Sequence, residues 1–122
     1  MPESVRTPAR GRRVLAAAWF LLALGGLVGT WAFNLAFMAD PQGLGYLEGW
    51  FANAASSSAA VDVIFVAVAA SLFMLAEGAR IGWARWAWIF VPLSFAIAVA
   101  FTFPLFLAIR ELALYRRERL VG

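Results

Sequence analysis

The chain contains no cysteine and no histidine. Without cysteine there is no disulfide, no thiolate metal site and no cysteine nucleophile. Without histidine it lacks the commonest ligand of haem, copper, zinc and chlorophyll, and the commonest general base near neutral pH. No cofactor or metal is therefore expected. Lysine is also missing, so all ten basic residues are arginine. Charge is scarce in general: charged residues make up 14% of the 122, against about 25% in a soluble domain.

What fills the chain instead is apolar. Hydrophobic residues account for 64%, where a soluble domain carries roughly 45–50%. Such a sequence cannot coat a soluble fold with polar surface and belongs to the integral membrane class, at one domain's length. The net charge of +3 does not point to nucleic acid. The arginines flank apolar runs, where they meet lipid phosphates and fix orientation. Membrane lipids are the expected partners.

Residues 1–13 are polar, carry four arginines and hold two prolines and a glycine, so they read as a disordered basic segment. The first apolar run covers 14–38, longer than the roughly 20 residues needed to span a bilayer. It also exceeds the roughly 7–15 residues of a signal-peptide core and lacks a small-x-small cleavage site, so it is expected to remain as a helix. Gly25 and Gly29 stand four apart with Gly26 beside them. That spacing either opens a groove for another helix backbone or reflects the general frequency of glycine in membrane helices. Near the run's end Asn34 shares a helical face with Trp31. Its amide either meets a protein partner or solvates the helix end.

Asp40 followed by Pro41 breaks the helix. In the 42–58 connection Leu44, Leu47, Trp50 and Phe51 recur at helical spacing with Tyr46 nearby, which predicts a short helix lying on the membrane surface. Ser56, Ser57 and Ser58 form a cap-rich start to the second helix, 59–78. Asp62 lies in its first turn and Glu77 in its last. At 1.5 Å per residue the two acids are roughly 22 Å apart along the axis, so they cannot form one acid and base pair. Arg80, three residues beyond Glu77, is placed to compensate it. Tryptophans and Arg85 in 81–88 mark an interface belt. The third helix, 86–110, carries Pro104 where it should kink, and its many phenylalanines read as packing bulk. Residues 114–122 form a basic tail. The fold class is an all-α membrane protein with three transmembrane helices and a short interfacial helix between the first and second, the membrane domain covering 14–113.

Four local signatures occur in order: GLVGTWAFN in the first helix, FANAASSSAAVD before the second, EGARIG after it and FPLFLAIRE ending the third. Together they resemble an uncharacterised bacterial family of short integral membrane proteins, domain of unknown function 2834. The resemblance covers residues 14–113. It implies three spans and a bacterial origin, and it implies no activity; the bacterial inner membrane is the expected location.

Six arginines in the N-terminal segment and the 79–85 turn, against none in 39–58, place the N-terminus in the cytoplasm. With three straight spans the arginines Arg110, Arg116, Arg117 and Arg119 would then lie outside, against the same rule. That topology also brings Asn34, Asp62, Arg110 and Glu111 to one depth as a polar outer cluster in which Asp62 pairs with Arg110, while Glu77 and Arg80 form an inner-face pair. The expected function is a structural or accessory element: a homo-oligomer or subunit of a larger complex, or a lipid-associated packing unit with a seam at Gly25, Gly26 and Gly29. The alternative is a membrane-embedded enzyme or binder for an isoprenoid- or carotenoid-type substrate, with Asp62 as the proton donor.

Overall fold

The computed structural model describes residues 9–121. The protein is helical throughout: α1 is Ala9–Ala39, α2 Tyr46–Trp50, α3 Ala54–Arg80, α4 Ala84–Leu93 and α5 Val99–Val121. A π-helical turn, Ser94–Ala98, joins α4 to α5. Three helices are long and apolar enough to cross a membrane: α1, α3 and the joined segment Ala84–Val121. The short α2 lies between the first two. Each spanning helix is longer than the hydropathy pattern predicts. Residues 9–13, expected to be disordered, already belong to α1, and the 114–121 tail continues α5 as helix. Residues 1–8 lie outside the described range.

Local chemistry sets the boundaries. Asn53 caps α3: its side chain accepts from the Ser56 backbone N–H at 2.9 Å, and the Ser56 hydroxyl reaches back to the Asn53 N–H at 3.2 Å. This reciprocal box satisfies two orphan donors and starts the helix five residues before the predicted position. At its other end Trp83 N–H bonds the Gly78 carbonyl across Gly82, which has φ +77°. That left-handed turn favours glycine and ends α3 as a Schellman motif.

Small residues make the helix seams. On α1, positions 12, 16, 19, 23, 26 and 30 alternate steps of four and three, the period of a coiled-coil stripe. Ala16 and Ala23 on this stripe are buried, and the stripe packs antiparallel along α5. A Cβ built on Gly26 would collide with the Ala100 carbonyl, so only glycine fits there. On α3 the buried face is Ala60, Ala67, Ala70, Ser71, Met74 and Gly78. A Cβ at Gly78 would meet the Ala87 Cβ at 2.6 Å.

The third spanning segment is not straight. Ser94 Oγ and Thr102 Oγ1 are 2.6 Å apart, although a straight helix separates residues eight apart by about 12 Å along its axis. The Phe90 and Phe106 rings lie 6.3 Å apart, as do those of Trp83 and Phe106. The Arg117 guanidinium reaches to 4.0 Å from the Cβ position of Gly82. The segment therefore folds back at Ser94–Ala98, with α4 and α5 drawn together around an aromatic wedge. The bend falls at the π turn, just after Pro92, and not at Pro104, which sits inside helical α5. Met74, Ala87, Phe90 and Phe106 form the core between α3 and the two limbs.

Because α5 returns beside α4, the start of α1, the 81–83 turn and the end of α5 share one end of the molecule. Every arginine among the described residues lies there, and Asp40, Glu48 and Asp62 lie toward the other. The chain has no native cysteine to interfere with labelling, so Asp40→Cys, Arg85→Cys and Arg119→Cys test this directly. A membrane-impermeant maleimide should reach Arg85→Cys and Arg119→Cys from the same face and Asp40→Cys from the opposite one; labelling of Arg119→Cys together with Asp40→Cys would show a straight third span. For the seam, Gly26→Ala should lower stability in mild detergent by roughly 1–3 kcal/mol through overpacking. Gly25→Ala should leave it within about 0.5 kcal/mol or slightly raised, as expected for a helix surface.

Candidate functional site

Two sites stand out, one at each end. At the arginine-rich end, charges from three helices form a continuous chain. Glu77 on α3 binds Arg80 of its own last turn and Arg110 of α5, the latter at 2.6 Å. Arg110 reaches Glu111 at 3.3 Å. Glu111 accepts from Arg12 of α1 at 2.9 Å, and Arg12 also binds Glu118 at 2.9 Å. Glu111 is only 5% exposed; its carboxylate is tolerable there because guanidinium groups flank it from two sides. Tyr115 adds a stacking surface, with Arg13 and Arg119 over its ring at 5.7 and 5.8 Å. Three carboxylates thus join α1, α3 and α5.

This arrangement corrects the expected outer cluster. Arg110 and Glu111 do not join Asn34 and Asp62; the fold-back carries them to the opposite end, where Arg110 meets Glu77. Asp62 is exposed, and among the described residues it forms no salt bridge. It lines neither cavity near α2, so the cavity an acid catalyst would need is not at its side chain. The glycine seam is also narrower than the spacing suggests. Gly26 alone makes the close internal contact, while nothing lies within 4 Å of a Cβ at Gly25 or Gly29.

At the far end a crevice of about 620 Å³ opens between α1, α2, α3 and the bend. Trp31, Trp50 and Phe95 give it aromatic walls, and Asn34 and Tyr46 supply its polar point. The Tyr46 hydroxyl donates to Asn34 Oδ1 at 2.9 Å. Tyr46 also packs edge-on against Phe37, with centroids 5.7 Å apart, which fixes α2 over the end of α1.

The floor of the crevice is the bend, and the bend is held by side chains. Side chains meet carbonyls in and beside the π turn. Trp31 Nε1–H donates to the Ile97 carbonyl at 3.1 Å. The Ser94 hydroxyl lies 2.8 Å from the Phe90 carbonyl, and Thr102 Oγ1 lies 3.2 Å from that of Ala98. No buried side-chain nitrogen or oxygen among the described residues lacks a partner. Sequence reasoning missed Ser94 and Thr102. The signal was available: they are the only hydroxyls between Trp88 and Arg110, and Phe90, Pro92 and Ser94 mirror Phe106, Pro104 and Thr102 about Ala98.

The geometry defines a small helical membrane protein with one clamped, arginine-rich end and one open, aromatic end. The model of the family described as "Protein of unknown function DUF2834" matches residues 18–112, and the chain belongs to that family. No curated protein and no solved structure matches it.

Removing Arg110 leaves Glu77 with Arg80 as its remaining partner, and removing Glu77 leaves Arg110 with only the longer contact to Glu111. Arg110→Leu and Glu77→Gln should each cost roughly 2–3 kcal/mol in a detergent unfolding titration, below the ~3–5 kcal/mol of a fully buried pair. The double variant should cost clearly less than the sum, because the two residues touch. Asp62→Asn combined with Arg110→Leu should be additive; strong coupling there would contradict the separation of these residues.

Proposed function

We propose that this protein is an accessory or structural membrane subunit that assembles through its first helix. The observation that carries the reading is the outward face of α1. Gly25 and Gly29 open onto unoccupied space, while Leu21 and Phe33 on the same helix are 70% and 79% exposed. Glycines four apart let a second helix backbone approach closely, and the internal seam uses Gly26, not these two. The charges at the arginine-rich end support the same reading. Arg12, Glu77, Arg80, Arg110, Glu111 and Glu118 are engaged with one another and hold helices together, which is what a packing element requires.

The reading includes an orientation. With every described arginine at one end, that end belongs at the cytoplasmic, anionic leaflet. Both the start of α1 and the end of α5 then face the cytoplasm of a bacterial inner membrane. The arginine tail that opposed this orientation in a straight three-span chain supports it once α5 turns back. Asp62, exposed and away from the crevice, gives no support to the proton-donor alternative.

Gly29→Leu separates assembly from folding, because Gly29 packs against nothing inside the protomer. In lipid nanodiscs or mild detergent, native mass measurement should show wild-type assemblies larger than the 13.3 kDa chain. Gly29→Leu should shift them to monomer with an unchanged melting temperature. A monomeric wild type, or assemblies indifferent to Gly29→Leu, would remove the basis for this reading.

A further inference from the structure

The crevice beneath α2 has one polar point in an apolar wall. Its volume, about 620 Å³, falls in the range of roughly 300–1,000 Å³ typical of small-molecule sites. Met38, Leu47, Ile64 and Phe95 supply apolar surface, and no acid or arginine lines it. The Trp31 indole N–H is already committed to the Ile97 carbonyl, so that ring offers only its faces. Tyr46 spends its proton on Asn34 Oδ1. What remains is the Asn34 amide nitrogen, which donates to no protein acceptor among the described residues. An amide donor beside an apolar cavity is complemented by a ligand acceptor. The absence of a charged wall residue favours a neutral molecule.

We propose that this crevice binds one neutral lipophile that presents a carbonyl oxygen to the Asn34 amide, its apolar body lying against Phe95, Met38 and Ile64. Two membrane components share that chemistry: the ester carbonyl of a neutral glycerolipid and the ring carbonyl of an isoprenoid quinone. The bend forms the floor, so the residues that hold the fold-back also shape the site. Tyr46, carried on α2, sits over the polar point and orients the Asn34 amide. The site is separate from the α1 glycine face and stands whether or not the protein assembles.

Trp31 and Trp50 line the crevice and report on it. The full-length protein in mild detergent is titrated with two quenching probes, a benzoquinone bearing one short isoprenoid chain and a diacylglycerol with brominated acyl chains. One of them should quench tryptophan fluorescence saturably, and which one does so identifies the source. Asn34→Leu should weaken the midpoint about tenfold, and Ala96→Phe, which fills the crevice from an exposed wall position, should abolish saturation. Thermal melting checks that each variant folds; if Asn34→Leu does not, Ala96→Phe decides alone. Quenching that only rises linearly with probe in the micelle, or a midpoint unchanged in Ala96→Phe, overturns the site. An unchanged midpoint in folded Asn34→Leu overturns the carbonyl contact and with it the proposal.

Discussion

The structure depends on a reversal of direction made within one long apolar helical segment, Ala84–Val121. From Ala84 to Ala98 the chain rises for fifteen residues, roughly 22 Å at helical rise, short of the ~30 Å of the apolar core. One of the Ser94 and Thr102 hydroxyls donates to the other, which donates to the carbonyl one turn behind it, and Trp31 comes from α1 to donate to the Ile97 carbonyl. Those three side chains tie the two limbs and α1 to the turn.

The other features follow from that turn. It sends α5 back along α4, so Phe106 meets Phe90 and Trp83 and the core closes around Met74. It sets Ala100 against Gly26, where α1 packs backbone to backbone. It returns Arg110 and Glu111 to the end where α3 finishes and α1 begins, which allows Glu77, Arg110, Glu111 and Arg12 to link three helices. It also forms the floor of the aromatic crevice. A straight third helix would have none of these contacts.

Much of the architecture is legible in the amino-acid pattern. Hydropathy alone locates three long apolar helices, and the spacing of Leu44, Leu47 and Trp50 locates the short one between the first two. The bend is not legible from hydropathy, because a π turn keeps the chain helical and apolar. Pro104 is a misleading cue: it lies in α5 without ending the helix, while the reversal follows Pro92. The misplacement of Arg110 and Glu111 follows from that one feature, since pairing Arg110 with Asp62 assumes a straight helix. The glycines illustrate a different limit. Spacing singles out Gly25 and Gly29, but the register of the α1 stripe through Ala16 and Ala23 turns Gly26 inward. The crevice is half visible: Trp31 and Asn34 fall on one face by spacing, but the partner of Asn34 is a tyrosine on another helix.

The returning limb also bears on how the chain enters the bilayer. If α5 ended on the far side, Arg110, Arg116, Arg117 and Arg119 would each have to be translocated during biogenesis. Moving four positive charges outward against a potential of 100 mV costs roughly 9 kcal/mol, at about 2.3 kcal/mol per charge, before any dehydration. Under the orientation proposed above, a segment that folds back asks the insertion machinery to move none of them. The two hydroxyls between Trp88 and Arg110 are both satisfied within the segment, one donating to the other and the other to a carbonyl one turn behind it.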